Sequence, residues 1–258
     1  MSTMRAVVMD APGAPEVLRV AEVPRPTRAS AEFIVKVCAA GVNPIDAKTR
    51  AGRGVSGAIS SWPSILGNDF SGVVVESPYD AHPIKVGDEV YGMSMVPRLP
   101  GTYAEFAAVP AMSIARKPKA LSHVEAAGVP LAALTAWGAV VDVARAREGQ
   151  RVLVHAGAGG VGHFAIQFAS FFGAHVVATG STRNLEWMRE LGANEVIDHT
   201  QTRFEDDMDP VDTVIDLIGN AVDAVGPRPP PVLKPGGLIA PGPAGAWPNP
   251  AEDAAPRG

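Results

Sequence analysis

Residues 152–154, Val-Leu-Val, form a short apolar run of the kind a buried parallel strand shows. Gly157, Gly159 and Gly162 follow at G-x-G-x-x-G spacing, and a helical apolar pattern opens at once over residues 161–172. Strand, glycine turn and helix in that order constrain the chain to a βαβ architecture. Each glycine has a task in that setting. Gly157 allows a tight turn out of the strand. Gly159 removes a Cβ that would block a bound pyrophosphate. Gly162 lets the helix close on the sheet. The helix start offers unpaired N–H groups and a partial positive charge to phosphates. The segment Gly157, Ala158, Gly159, Gly160, Val161 and Gly162 is therefore expected to cradle a dinucleotide; the competing reading is a purely structural turn.

Around this turn the chain alternates. Strand patterns at residues 175–179, 195–198, 211–217 and 237–240 and a helix pattern at 184–191 predict a parallel sheet wrapped by helices. Earlier residues read differently. Short strand candidates at 5–9, 18–23, 32–39, 72–76 and 89–92 are separated by Gly, Pro and Asp, as in a compact barrel or sandwich. Ser122 and Glu125 are spaced as a capping box, and residues 131–146 read as one long helix. The expected organisation is a β domain over 1–120 and an α/β domain over 121–242. A Pro/Ala/Gly-rich tail over 243–258 is expected to be disordered.

Composition narrows the partners. The net charge of −5 gives no basic footprint for nucleic acid. No apolar stretch reaches membrane-spanning length, and Asp10 interrupts the N-terminal apolar run, so a soluble cytoplasmic protein is expected. The single cysteine, Cys38, excludes a multi-cysteine zinc site; within its strand it reads as a small buried hydrophobe. His82, His123, His155, His163, His175 and His199 show no ligand-like spacing.

Several further segments now become informative together. They are residues 4–8 (Met-Arg-Ala-Val-Val), 41–46 (Gly-Val-Asn-Pro-Ile-Asp), 66–74 (Leu-Gly-Asn-Asp-Phe-Ser-Gly-Val-Val) and 86–92 (Val-Gly-Asp-Glu-Val-Tyr-Gly). Residues 101–106 (Gly-Thr-Tyr-Ala-Glu-Phe), 134–137 (Leu-Thr-Ala-Trp), 191–198 (Leu-Gly-Ala-Asn-Glu-Val-Ile-Asp) and 233–238 (Leu-Lys-Pro-Gly-Gly-Leu) join the glycine turn. In this order they resemble the medium-chain dehydrogenase/reductase superfamily, in its zinc-free quinone oxidoreductase-like (zeta-crystallin-like) branch. The resemblance implies an α/β protein: a GroES-like β-barrel domain, then a Rossmann doubly wound parallel sheet lacking its last strand, with the active site between the two. The family's sixth sheet strand, which often makes its homodimer, has no counterpart here, so the dimer is in doubt and the chain reads as C-terminally truncated or as a short variant.

The same resemblance bears on the site. Zinc enzymes of the superfamily carry a Cys after the Gly-Val pair and a His before an acid. Those places hold Asn43 and Asn68, so no metal is expected. By resemblance Asn43 hydrogen-bonds substrate or the nicotinamide ribose; otherwise it is a turn residue before Pro44. Asp46 orients the site or caps a helix. Thr135 lies near the nicotinamide or is a plain helix residue. Tyr103 belongs to a family motif, where packing is its expected role.

Cofactor choice follows from the end of the second Rossmann strand. NAD sites place an acid about 20 residues after the first glycine. Here Ser181 and Arg183 occupy that region, suited to a 2′-phosphate, and NADP(H) is expected. Arg183 is otherwise a solvated residue. His199 either approaches the adenosine phosphate or has no role. Ile218 and Gly219 end the fourth strand, at the edge where such sheets bind ligands. The expected function is NADPH-dependent hydride transfer to a quinone or an α,β-unsaturated carbonyl (enone or enoyl) substrate. The alternative is a degenerate member that binds NADP(H) without catalysis.

Overall fold

The computed structural model describes residues 2–94, 101–206, 208–218 and 232–242. Gly219 and the 243–258 tail lie outside the described residues. The chain divides into two compact units between Leu131 and Ala132.

The first unit contains β1 (Thr3–Met9), β2 (Arg19–Pro24), β3 (Glu32–Ala40), α1 (Pro44–Arg50), β4 (Ser64–Ile65), β5 (Asp69–Glu76), β6 (Glu89–Met93), β7 (Phe106–Pro110), β8 (Ile114–Arg116) and α2 (His123–Ala127). Two antiparallel sheets result, ordered β2-β1-β4 and β7-β3-β5-β6-β8. Residues 103–105 tie them together. The Val7 N–H donates to Tyr103 and the Val37 N–H to Glu105, so one segment serves both sheets and curls them into a GroES-like body. Alternation sets the faces: Met4, Ala6 and Val8 point inward from β1. Phe33, Val35, Phe70, Val74, Val90 and Val109 fill the core of the larger sheet. The capping box at Ser122 and Glu125 opens α2, whose Ala126 and Ala127 are buried. This helix lies against β3 and β5 and so belongs to the first unit.

Cys38 departs from expectation. It lies in β3, but its thiol is exposed, because the inward positions at this end of the strand fall elsewhere. β4, β7 and β8 were not legible as strands: β4 and β8 are two and three residues long, too short for a period to register, and β7 carries Ala107, Ala108 and Pro110, which are weak strand formers.

α3 (Pro130–Trp137) straddles the division. The long helix expected over 131–146 is interrupted. After Trp137 the backbone widens into a π-turn over Gly138–Val143, where the Ala144 N–H reaches back to the Ala139 carbonyl. The second unit continues with β9 (Arg151–Val154), α4 (Gly162–Phe171), β10 (His175–Gly180), α5 (Leu185–Glu190), β11 (Glu195–Asp198), β12 (Val211–Asp216) and β13 (Leu233–Pro241). All five strands are parallel, in the order β11-β10-β9-β12-β13. Val152, Val154, Val176 and Ala178 pack on one side of this sheet; Leu153, Val177, Ile197 and Val214 pack on the other. Burial on both faces is why these strands read as continuous apolar runs rather than alternating ones. The strand order reverses beside β9, and parallel alignment brings the C-terminal ends of β9, β10, β11 and β12 to one edge.

Candidate functional site

The glycine turn lies at that edge, and its glycines differ in what they must leave free. A Cβ on Gly162 would sit 2.2 Å from the Ala156 carbonyl oxygen and 2.8 Å from Gly157 Cα, so the start of α4 closes on bare backbone. A Cβ on Gly157 would meet Met188, Ala178 and Ile166 at 2.9–3.0 Å. Gly157 is thus required by packing. The left-handed residue of the turn is Ala156, with φ of +52°. This corrects the expectation that Gly157 supplies the turn's conformation. Gly159 faces open space except for one contact at 3.1 Å, and a Cβ on Gly160 would meet nothing within 4 Å. The outer side of the turn is therefore unfilled at the N-terminus of α4, and the arrangement fits phosphate groups. Ala158 and Val161 are half-buried against the core beside it.

Thr179, on β10, holds the turn. Its hydroxyl accepts from the Ala156 N–H at 3.3 Å and its carbonyl from the Gly157 N–H at 2.9 Å. The same hydroxyl lies 3.1 Å from Nδ1 of His155. His155 is buried edge-on to Phe204, and its Nε2 has no protein partner. Burial pushes its pKa down to about 4, so the ring is neutral at physiological pH.

One strand over, Ser181 accepts from the Asn184 side chain, and Arg183 is exposed in a single 3₁₀ turn. The structure adds a residue that the sequence reading missed. Asp198 ends β11 opposite Gly180 and accepts from the Thr182 hydroxyl at 2.5 Å. The Thr182 and Thr200 hydroxyls hold its carboxyl below the usual range. An acid does therefore stand near this strand end, contributed by the neighbouring strand. His199 is exposed, and its N–H donates to Gly180. The Ile218 N–H donates to Asp216 at the end of β12.

In the first unit the sequence-predicted Asn43 and Asp46 come together in a buried polar cluster. Asn43 caps α1, and its N–H donates to Oδ2 of Asp46 at 2.8 Å, which places Asp46 at the third helical position rather than at the cap. Asp46 also accepts from Asn68 Nδ2 at 2.8 Å and from the Tyr103 hydroxyl at 3.0 Å. Burial still raises its pKa against these donors. A second carboxylate lies beside it. Asp69, only 1% exposed, accepts from Asn43 Nδ2 at 3.0 Å and from the Leu131 N–H at 3.0 Å. Burial pushes its pKa up to about 6. Gly41 makes room: a Cβ there would lie 2.4 Å from the Ala127 carbonyl and 2.8 Å from Asp69 Cβ. Gly67, at φ of +100°, would place a Cβ 2.5 Å from the Tyr103 ring. Tyr103 is thus wired to Asp46, and burial raises its hydroxyl pKa further out of the physiological range. Neither Asp69 nor Tyr103 was singled out as a site residue. The only signals were their places in the 66–74 and 101–106 motifs. Thr135 lies half-buried on α3, in the second unit.

Comparison with known proteins bears on both units. The family described as "Alcohol dehydrogenase GroES-like domain" matches residues 29–119, and "Zinc-binding dehydrogenase" matches 160–226. The quinone oxidoreductase structure from Coxiella burnetii superposes with a TM-score of 0.82 at 39% identity, covering 92% of this chain and 75% of that one. The chain belongs to the medium-chain dehydrogenase/reductase superfamily. Among curated members of the superfamily, the mitochondrial NAD(P)H oxidoreductase RTN4IP1 of Homo sapiens is 38% identical over 215 residues, 76% of this chain and 54% of its own length. The chloroplastic NADPH-dependent alkenal/one oxidoreductase of Arabidopsis thaliana is 40% identical over 215 residues, 81% of this chain and 54% of its own length. The chain spans about half the length of these two relatives.

The second family description raises zinc, and the donor set does not suit it. Zinc takes Cys, His, Asp or Glu ligands. The side-chain amides of Asn43 and Asn68 present their NH₂ groups to Asp69 and Asp46, and an amide nitrogen has no lone pair to give. Among the described residues no group of three or more His, Cys, Asp or Glu could hold a metal ion. Nor, among them, is any helix long and apolar enough to cross a membrane.

Proposed function

We propose that this protein is an NADPH-dependent, metal-free oxidoreductase that transfers hydride to a quinone or an α,β-unsaturated carbonyl. The observation that carries the reading is the glycine turn, open at Gly159 and Gly160 and closed at Gly157 and Gly162, at the N-terminus of α4. The names of the relatives, an alkenal/one oxidoreductase and a quinone oxidoreductase, support the substrate class.

A reduced nicotinamide supplies the hydride when bound. The chain's residues bind and orient. The turn's backbone and the α4 N-terminus hold the pyrophosphate. Ser181 and Arg183 take the 2′-phosphate, and the carboxylate of Asp198 is kept engaged by Thr182 and Thr200. His199 and Ile218 border the same site. Asn43 hydrogen-bonds the substrate oxyanion or the ribose, Asp46 holds Asn43 through its main chain, and Thr135 lies near the nicotinamide. With an amide instead of a Lewis acid at the carbonyl, conjugated acceptors are favoured over simple alcohols, and the product anion takes its proton from solvent. We also assign the protein to the cytoplasm, although the two named relatives are mitochondrial and chloroplastic; fractionation decides.

The test pairs binding with turnover. Purified protein should change NADPH fluorescence and oxidise NADPH when a quinone or enone is added. Binding without oxidation across a panel of both acceptors would favour a nucleotide-binding protein without catalysis. No binding would overturn both readings.

A further inference from the structure

Asn43 is held twice, by two different carboxylates. Its N–H donates to Asp46, which fixes the start of α1. Its side-chain NH₂ donates to Asp69, which stands 26 residues away on β5. Asp46 is already supplied by Asn68 and Tyr103, whereas the side chain of Asp69 bonds to only the Leu131 N–H and Asn43 among the described residues. An ionised carboxylate only accepts hydrogen bonds. While Asp69 is ionised, the Asn43 amide must therefore turn its nitrogen toward it; its carbonyl oxygen faces the Asp46 N–H in the capping box, which leaves one N–H for anything else. A protonated Asp69 can donate to that carbonyl oxygen instead. The amide is then free to rotate and turn both N–H groups away from Asp69.

We propose that Asp69 is a positioning residue for Asn43: its buried carboxylate sets the rotation of the Asn43 amide, and with it whether the amide's N–H groups are spent on Asp69 or turned toward a ligand. The catalytic consequence rests on the reading of Asn43 as a residue that touches substrate or cofactor. The coupling itself does not.

The surroundings suit such a device. Asp46 faces Asp69 from α1, and Tyr103 faces both carboxylates from the segment before β7. His123 approaches from α2, where it is occupied by Ser71 at 2.7 Å and by Glu89 of β6 at 3.5 Å. α3 contributes the Leu131 N–H alone to the hydrogen bonding. No cation pairs with Asp69 among these groups. Burial and the charge of Asp46 both favour its proton, so its two states are both within reach near pH 6.

The test reads the amide directly. The Asn43 side-chain ¹⁵N–¹H₂ resonances, identified by their loss in Asn43→Ala, should shift with a midpoint near pH 6 in the wild type. The shift should vanish in Asp69→Asn. Asn43 resonances that stay constant between pH 5 and 7.5 in the wild type overturn the proposal, even if Asp69→Asn fails to fold. In turnover, Asp69→Asn should lower kcat by about ten- to a hundredfold, by analogy with the loss of groups that orient metal ligands. The pH profile of kcat should lose its limb near 6. A kcat profile that keeps that limb in Asp69→Asn overturns the positioning role. A wild type that titrates at Asn43 but never oxidises NADPH refutes the proposed function and leaves the coupling intact.

Discussion

Asn68 gives its side-chain amide to Oδ1 of Asp46 across 2.8 Å, although 22 residues separate them. Both are buried, so water cannot replace the bond. Asn68→Ala would leave a buried carboxylate short of one donor. A loss of about 1–3 kcal/mol is expected, read as a lower urea midpoint with an unchanged slope. An unchanged midpoint would mean that the amide adds nothing to the first unit.

Because both amides at these positions face carboxylates, zinc should be irrelevant to activity. Dialysis against a chelator should leave the melting temperature and NADPH oxidation unchanged, with less than stoichiometric zinc by elemental analysis. Activity that falls on chelation and returns with zinc would reverse this.

The glycine turn separates folding from binding. Gly162→Ala drives a Cβ into backbone at 2.2 Å and should destabilise the second unit by about 1–3 kcal/mol. Gly160→Ala meets nothing and should leave the urea midpoint where it is. Gly159→Val should fold but lose NADPH affinity, because its side chain fills the open outer side. Fluorescence titration beside denaturation distinguishes the three; unchanged affinity in Gly159→Val would refute the phosphate cradle.

His155 predicts acid sensitivity. Its pKa is about 6.5 in an unfolded chain and is pushed down to about 4 by burial, so the folded state favours the neutral ring. Its stabilising contribution is complete above pH 6.5 and is lost as pH falls from 6.5 toward 4. The shift corresponds to roughly 3 kcal/mol between those limits. Asp69 has the opposite sign, its raised pKa favouring the folded state as pH falls through 6. His155→Leu should therefore flatten the acid limb of the second unit's unfolding, and Asp69→Asn should steepen the first unit's. Parallel pH–stability curves for wild type and His155→Leu would overturn the assignment.

Arg183→Glu should remove the preference for NADPH over NADH. One charge-assisted hydrogen bond, about 1.5–3 kcal/mol, corresponds to roughly ten- to a hundredfold in the ratio of dissociation constants. A ratio that does not move would assign the 2′-phosphate elsewhere, with Thr182, Thr200 and Gln201 around Asp198 as the neighbours to vary next.

What sequence alone determined was local and periodic. Continuous apolar runs at β9, β10 and β12, glycines at fixed offsets and a capping box at Ser122 report on neighbours a few residues away, because backbone geometry repeats over that distance. From these the α/β alternation and the dinucleotide turn were legible, and Asn43 and Asp46 were legible by resemblance. Tertiary structure alone decided the rest. That Asn43 faces Asp69, that Tyr103 spends its hydroxyl on Asp46 and that Asp198 stands beside Thr182 are pairings across 26, 57 and 16 residues. They come from strand register and from two sheets closing on one segment, which no local period encodes. The turn shows the same division on a smaller scale. Spacing identified its three glycines, but only the packed fold revealed that Ala156 carries the left-handed backbone, while Gly157 is small because β10, α5 and α4 press against it and Gly162 because the turn's own backbone does.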